Sequence, residues 1–491
     1  MLRNNVLISL LLVATISLAS CSGQSKSGGV GGGGNTTLSL TMRDTLLAGT
    51  SIVSFKVTVT GVSFTPSAGK PVNLTLNPSS PIIELTHLQS DSAFLGTSTV
   101  PSANYTSATV AFSAPDIVLI NQTTGALTGA TTACPVSAVT PCEFRPAASG
   151  TITLSTAPFP LTLTPNQQTG LSLDFNLNNA ITTTNGAVSV DFTQANVLTA
   201  TTLPRTGTPT GALDLVEDFT GVITAVSGTS VTVHSDTRGN ITAIANSSTT
   251  FNIDPNVCNA QNLTCLGANK TVSIDASLNL DGTMTLLEAD LLDKVSVDEV
   301  EGTVFSVNQG AQQILLVLSN KTVVSGNPVL TAAAPGNLVQ VTITNALPFT
   351  VDTKGLSAIT ASLASIPFAT LSNVFPGQTV RMHVTNPTAG TGSTILVNSS
   401  SVVLRFSQVT AKVSIAPASP FFSVNAATLP PFIAGLGGFV NAPVQISSGQ
   451  TRFDGVTDIT GLNVGDTVSI RALFIPNFLT SPFFAAKVRK H

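Results

Sequence analysis

Short runs of alternating apolar and polar residues fill almost the whole chain after residue 36. Examples are residues 37–42 (TLSLTM), 53–59 (VSFKVTV) and 188–192 (VSVDF). Strict alternation predicts strands with one buried face, and turn signals such as Asn77-Pro78 and Asp281-Gly282 separate the runs. No stretch has the long amphipathic pattern of a surface helix. The sequence therefore predicts an all-β protein built from sandwiches or barrels.

Low charge is the most unusual feature of the composition. Charged residues make up 9% of the 491 residues, whereas about 25% is usual for soluble domains. The hydrophobic fraction of 42% is ordinary, so the chain lacks the low hydrophobicity and high charge of disordered proteins. At roughly 100–200 residues per domain, its length favours three or four domains.

Charge and aromatic content narrow the classes of partner. The net charge is −4 and no Lys/Arg run is present, which excludes nucleic-acid binding because phosphates need a concentrated positive field. The chain has 24 Phe, one Tyr and no Trp. Tyr and Trp dominate binding faces, so this imbalance argues against a stacking-type sugar site and for aromatic residues in cores.

The N-terminus has the pattern of an export signal. Arg3 precedes an apolar run over residues 6–18, and Leu18-Ala19-Ser20-Cys21 follows. These residues resemble the lipobox of a bacterial lipoprotein, which implies cleavage before Cys21 and palmitate-type lipidation of that cysteine. An ordinary secretory signal and a membrane anchor are the alternatives, but the run is shorter than the roughly 20 apolar residues of a spanning helix.

This resemblance implies a place in the cell. We expect a signal peptide over residues 1–20 and a lipidated, Gly/Ser-rich tether over residues 21–36, which is flexible by composition. Ser22 stands where an Asp commonly retains lipoproteins at the inner membrane, which favours the outer membrane of a bacterial envelope. The protein would face the periplasm or the cell surface.

The other four cysteines form two close pairs. Cys134 and Cys142 bracket one short polar segment, and Cys258 and Cys265 bracket another. Exported proteins favour disulfides, so we expect two local bridges. A zinc site is the rival interpretation, but the spacing is not C-x-x-C and no histidine lies near either pair in sequence.

Residues 37–202 form the first predicted folded unit. It contains the segment 82–88 (IIELTHL), then Phe94-Leu95-Gly96, Val100-Pro101 and Tyr105 before a strand. This succession resembles domain-of-unknown-function family 4382, which is all-β and occurs in bacterial lipoproteins. The resemblance implies a β-sandwich and carries no catalytic residues to this chain.

A degenerate repeat follows the first unit. Residues 219–226 (FTGVITAV) match 300–307 (VEGTVFSV), and a weaker copy at 409–417 (VTAKVSIAP) lacks the glycine. Each copy is followed by a Thr-Val strand, at residues 270–274, 378–382 and 466–470. The pattern resembles tandem domain-of-unknown-function family 5666. We expect a linker over 203–216 and three small β-barrel-like modules, each with its own core, over 217–296, 297–406 and 407–491.

Two acidic features are candidate cation sites. The series Ser277-x-Asn279-x-Asp281-Gly282 with Glu288 has nearly EF-hand spacing, but its flanks alternate as strands, which favours a hairpin turn. The second feature is an acidic run that consists of Glu288, Asp290, Asp293, Asp298, Glu299 and Glu301. We expect this run to form a solvated face at a module junction, and a weak divalent-cation or partner patch is the alternative.

No catalytic motif, metal site or cofactor site is predicted. The four histidines (His87, His234, His383 and His491) are scattered and have no second ligand at a fixed offset. The sequence favours a non-enzymatic, lipid-anchored scaffold or interaction module. Its partners would be the membrane, through Cys21, and an envelope protein or extracellular polymer.

Two other functions remain open. A glycan- or polymer-binding lipoprotein would use exposed aromatic residues, and the places to look are Phe421-Phe422 and Phe483-Phe484. A hydrolase with an unfamiliar site would need a cleft holding at least two carboxylates with perturbed pKa values.

Overall fold

The computed structural model describes residues 34–45, 48–137, 140–204, 211–344, 347–354, 356, 368–433, 438–476, 478 and 480–491. Strands dominate these residues, which confirms the all-β prediction. The α-helices are the short segments Leu177–Ala180 and Pro328–Ala332. In the described part of the chain no helix has the length and apolarity to cross a membrane. The predicted signal peptide, Cys21 and nearly all of the tether lie outside the described residues.

The first unit is a sandwich of two sheets. One sheet has the order β13-β10-β1-β5, and the other has the order β3-β2-β6-β7 with β4, β8 and β9 at its sides. A separate hairpin joins β11 to β12. The strands are β1 (Asn35–Asp44), β2 (Ile52–Pro66), β3 (Val72–Asn73), β4 (Ile82–Glu84), β5 (Ala93–Pro101), β6 (Asn104–Ile120), β7 (Pro141–Phe144), β8 (Ser149–Leu154), β9 (Leu161–Thr162), β10 (Gln168–Phe175), β11 (Ile181–Thr184), β12 (Ala187–Val190) and β13 (Leu198–Leu203).

Phenylalanine fills the space between the two sheets. Phe55 of β2 and Phe112 of β6 both pack against Phe175 of β10, with ring centroids 5.9 and 5.4 Å apart. The alternation seen in the sequence puts such residues on the inner faces because successive side chains of a strand point to opposite sides. The expected use of aromatic residues in cores is therefore observed.

The segment that carries the family resemblance has a structural role. Residues 82–84 form β4, and the Glu84 carboxylate caps the following short helical turn by accepting from the backbone N–H of His87 at 2.9 Å. The same carboxylate accepts from the Phe55 N–H of β2 at 2.9 Å. The Tyr105 hydroxyl donates to the Pro101 carbonyl at 2.8 Å. These contacts fix the chain path at the edge of the sandwich.

Three five-stranded barrels follow, and we call them modules 1, 2 and 3. Module 1 contains β14 to β19, module 2 contains β20 to β26, and module 3 contains β27 to β32. The strands are β14 (Ala212–Ser227), β15 (Ser230–Ser235), β16 (Gly239–Ile244), β17 (Thr250–Asn252), β18 (Thr271–Asn279), β19 (Met284–Asp293), β20 (Glu299–Asn308), β21 (Gln313–Thr322), β22 (Leu338–Ile343), β23 (Phe349–Val351), β24 (Thr379–Ala389), β25 (Ile395–Ser399), β26 (Val402–Arg405), β27 (Ser407–Ala418), β28 (Phe421–Asn425), β29 (Asn441–Ile446), β30 (Arg452–Asp454), β31 (Thr467–Phe474) and β32 (Phe483–Lys490).

The three modules share one topology. Five strands form the ring of each module: β14, β15, β16, β18 and β19 in module 1, β20, β21, β22, β24 and β25 in module 2, and β27, β28, β29, β31 and β32 in module 3. In each ring the first strand pairs with both the second and the fourth, and the third runs parallel to the fifth. The closing parallel ladder has five residue pairs in module 2 and three in module 3, but only Ile244 with Thr285 in module 1. This closed Greek-key arrangement of five strands is the architecture of an OB-fold.

Close strand approach explains the repeated glycine. A Cβ added to Gly221 would lie 2.2 Å from the His234 carbonyl oxygen, and one added to Gly302 would lie 2.3 Å from that of Val317. The third copy has Ala411 at the equivalent position. There the ladder between β27 and β28 reaches back only to Val413, so no residue of β28 is paired opposite Ala411.

Each module has its own core cluster, but the core of module 2 also takes in residues of module 3. The core of module 2 includes Leu473, Ile475, Phe484 and Ala486, which belong to β31, β32 or the adjacent chain of module 3. Both faces of β31 and β32 are buried. One face packs inside module 3 and the other packs against module 2, so the two modules share these strands.

A small apolar contact joins the sandwich to module 2. Val53, Val118 and Ile120 of the sandwich pack against Phe305 and Val317 of module 2. The sandwich and module 2 are therefore in direct contact and are not connected by the chain alone.

Gly302→Ala should destabilise the protein by about 1–3 kcal/mol, because the added methyl group forces β20 and β21 apart. Urea or thermal unfolding of the full chain measures the loss. Gly310→Ala is the matched control, since a Cβ there would meet only the Asn308 side chain at 3.6 Å. Equal behaviour of the two variants would contradict the close approach.

Candidate functional site

Both predicted disulfides are present. Cys134 pairs with Cys142 and Cys258 with Cys265, with Cα atoms 5.4 and 5.7 Å apart. Cys134, Cys142 and Cys265 are buried, and Cys265 belongs to the core of module 1. The bridges therefore secure local loops.

The EF-hand-like series is a hairpin, as the flanking alternation predicted. Asn279 and Thr283 close the turn between β18 and β19, and Gly282 takes a φ of 79°. The Asp281 carboxylate accepts from the Thr283 backbone at 2.9 Å within the turn. Glu288 lies farther along β19, opposite Asp275, so it does not join the turn as a calcium ligand would.

The expected solvated acidic face is wrong. Asp290 and Glu299 are buried, and the other four members of the run are half-buried. The run does lie at the boundary between modules 1 and 2. Its side chains meet cations from distant sequence positions, and no local charge pattern could reveal those partners.

A β-bulge in β14 gathers three carboxylates on one side of module 1. Val216 pairs with Ala276 and Phe219 pairs with Ile274, so Glu217 and Asp218 together oppose Asp275. Asp218 has a φ of 48°, and its N–H donates to the Asp275 carboxylate at 2.9 Å. A bulge changes the direction of side chains in this way. Here it directs the carboxylates towards modules 2 and 3.

Module 2 supplies two of the cations that meet these carboxylates. Lys354 Nζ lies 2.8 Å from Asp218 Oδ1 and 2.9 Å from Asp275 Oδ1. Arg405 Nη2 lies 3.4 Å from the same Asp218 oxygen. Both cations are buried.

Module 3 supplies the other three cations. Arg452 Nη1 lies 2.8 Å from Glu217 Oε1 and 2.9 Å from Asp275 Oδ2. Arg471 Nη1 lies 2.6 Å from Asp218 Oδ2. Lys487 Nζ contacts Glu217 Oε2. We call the whole set the junction cluster: Glu217, Asp218, Asp275, Lys354, Arg405, Arg452, Arg471 and Lys487.

The cations keep the three carboxylates charged. Burial alone would raise the pKa of Glu217, but Lys487, Arg471 and Arg452 outweigh it and lower that pKa to about 2. Burial is likewise outweighed by nearby cations at Asp218 and Asp275, whose pKa values lie well below the usual range. For Glu288, burial and then Asp290 raise the pKa to about 8, which favours the protonated carboxyl.

The sandwich reaches the same junction through residues 88–91. The Asp91 carboxylate accepts from the Glu217 N–H at 3.0 Å. Arg489 of β32 donates to the carbonyls of Leu88 and Gln89 at 3.0 and 3.1 Å. This segment follows directly on the residues that carry the family resemblance.

A cavity opens where the four units meet. It is an open space of about 770 Å³ including solvent, and Asp91, Asp218 and Arg405 are among the residues that line it. Burial raises the pKa of Asp91 to about 6, whereas that of Asp218 is lowered. The cavity therefore contains two carboxylates with perturbed pKa values, which is what a hydrolase site would need.

A second cluster brings a histidine to the acidic run. His383 Nε2 lies 3.0 Å from Asp293 Oδ1 and 3.4 Å from Glu299 Oε1. Arg381 Nη1 lies 2.6 Å from Asp293 Oδ2 and 2.7 Å from Glu299 Oε1. Asp293 and Glu299 raise the pKa of His383 to about 9. Sequence reasoning missed this cluster, although the recurring pairing of first and fourth strands would have placed Glu299 opposite His383.

The phenylalanines named for glycan binding are not exposed. Phe422, Phe483 and Phe484 are buried, and Phe421 is half-buried. In the part of the chain that the structure describes, every Phe is buried or half-buried. Sugar stacking on these side chains would need the cores to open.

Comparison with known proteins supports the N-terminal part of the sequence analysis. Residues 35–193 match the family model described as "Domain of unknown function (DUF4382)". The match covers about a third of the chain and confirms the resemblance of the sandwich. A search among curated proteins gives no significant match. The resemblance of residues 217–491 to family 5666 stays a prediction.

Glu217→Gln should lower stability by about 3–5 kcal/mol, because it leaves Lys487 and Arg471 buried beside a neutral group. Chemical unfolding of the full chain measures the effect, and Asp281→Asn in the exposed turn is the control. Adding Lys487→Met to Glu217→Gln should recover part of the loss. A wild-type midpoint for Glu217→Gln would contradict a structural junction.

The contribution of Glu217 should depend on pH. Its pKa is lower in the folded protein than in the unfolded chain, so its stabilisation is complete above about pH 4.5 and is lost as the pH falls towards about 2. The difference in urea midpoint between wild type and Glu217→Gln should therefore shrink across this window. A difference that stays constant down to the lowest pH at which both fold would contradict this linkage.

Proposed function

We propose that the protein is a non-enzymatic, lipid-anchored scaffold of a bacterial envelope, with its sandwich and three modules held as one rigid body. The observation that carries this proposal is the junction cluster. All three carboxylates come from module 1, and all five cations come from modules 2 and 3.

Buried charge makes this junction selective for one arrangement. A displaced module would leave ions in a low-dielectric environment without partners, which is strongly unfavourable. Interfaces between domains of one chain are usually compatible with relative motion unless they are large and apolar. Here the restraint comes from paired charges, and it suits a protein that holds a surface at a fixed position.

The anchor is proposed from the sequence. The segment Leu18-Ala19-Ser20-Cys21 supports lipidation at Cys21, and Ser22 supports retention at the outer membrane. The two disulfides agree with an oxidising compartment. An envelope protein or an extracellular polymer is the partner class for the exposed faces.

A hydrolase is the second candidate, because the junction cavity holds Asp91 and Asp218 with opposite pKa shifts. Structural ion pairs also shift pKa values. Both oxygens of Asp218 are already engaged, by Lys354 and Arg405 on one side and Arg471 on the other. Ion pairing therefore accounts for the low pKa without a catalytic role.

Cys21→Ala should abolish labelling of the protein by a fatty-acid analogue and release it from the membrane fraction or leave it unprocessed. Ser22→Ala is the matched control and should label like wild type. Wild-type protein that carries no label in growing cells would overturn the anchored scaffold. Membrane separation on a density gradient tests the proposed outer-membrane location.

A further inference from the structure

Two carboxylates and one imidazole converge where module 1 leads into module 2. Asp293 ends β19, Glu299 begins β20, and His383 lies on β24 opposite Glu299 in the ladder. Asp293 and Glu299 are 6 positions apart and His383 is far from both in sequence, yet their ligand atoms all lie within 4.8 Å of one another. The fold, and not a local motif, brings them together.

The spacing of these atoms suits a metal coordination shell. Zn²⁺ binds His nitrogen and carboxylate oxygen at about 2.0–2.2 Å, which separates neighbouring ligand atoms by roughly 3.0–3.5 Å. His383 Nε2 lies 3.0 Å from Asp293 Oδ1 and 3.4 Å from Glu299 Oε1. Both distances fall in that range.

The imidazole nitrogen gives a second, independent indication. His383 Nε2 is a buried atom and has no hydrogen-bond partner of good geometry among the described residues. It points between the two carboxylates without forming an aligned hydrogen bond to either. Because the two carboxylates raise the pKa of His383, Nε2 carries a proton at neutral pH, and a metal would bind there by displacing that proton.

We propose that Asp293, Glu299 and His383 bind one divalent cation of the Zn²⁺ class, with water completing the coordination. One imidazole and two carboxylates suit Zn²⁺ and related transition metals better than Ca²⁺ or Mg²⁺, which take oxygen ligands. The His383 side chain is 27% exposed and that of Asp293 is 17% exposed. These exposures leave a side of the site open to water.

Arg381 limits the strength of the site without blocking it. Its Nη1 donates to Asp293 Oδ2, the oxygen that does not face His383, and to Glu299 Oε1. Each carboxylate oxygen has two lone pairs, so Glu299 Oε1 can accept from Arg381 and still face the metal. Hydrogen bonds of this kind orient metal ligands, while the positive charge weakens binding.

The metal would tie module 1 to module 2 at the short connection over residues 294–298. It would hold the end of β19 against β20 and β24. This inference does not depend on lipid anchoring or on the scaffold role.

The test is zinc binding by the full-length, untagged protein in detergent. The protein is stripped with chelator and dialysed against Zn²⁺, and bound zinc is measured by atomic emission. We expect one zinc per chain, and we expect His383→Gln and Glu299→Gln each to weaken binding roughly tenfold or more. His234→Gln is the matched control, because His234 Nε2 also lies near a carboxylate, at 3.3 Å from Asp236.

X-ray absorption of zinc-loaded wild type needs no variant to fold, and it should show a nitrogen and oxygen shell with a single imidazole. Absence of stoichiometric zinc in wild type would overturn the proposal. Equal binding by His383→Gln, or a shell with sulfur or several imidazoles, would overturn it as well.

Discussion

The arrangement of the four units depends on a two-residue irregularity in one strand. The bulge at Glu217 and Asp218 lets adjacent side chains on β14 face the same way, which a regular strand forbids. With Asp275 they form a negative surface that the cations of modules 2 and 3 cover. Without the bulge, one of the two carboxylates would point into the apolar core of module 1.

The junction cluster contains a large share of the few cationic residues of this chain. Only 20 Lys and Arg residues are present, and 5 of them belong to the junction cluster. The amino-acid composition alone does not indicate that these cations gather at one place in the structure. A surface rich in Thr, Ser and Asn therefore surrounds an interior boundary that is unusually ionic.

Alternation was sufficient to predict the class of fold, because a strand with one buried face has a two-residue period in its sequence. The tandem modules were predicted from the degenerate repeat. The repeated Gly-x-Val start marked the first strand of modules 1 and 2, since Gly221 and Gly302 lie against a neighbouring backbone. Contacts between units could not be predicted in this way. Glu217 and Lys487 are 270 positions apart, and nothing local in either segment indicates the other. The cluster around His383 was missed for the same reason.

The shared strands β31 and β32 impose an order on folding. Module 2 closes its barrel with residues up to 405, but its core also takes in Phe484 and Ala486. A chain emerging from its N-terminus can fold its sandwich and module 1 early. Module 2 cannot complete its core until residues 483–490 have emerged. Until then, part of its apolar interior stays uncovered. Residues 483–490 thus complete the core of a domain that begins almost two hundred residues earlier, and a partly uncovered apolar interior favours misassembly.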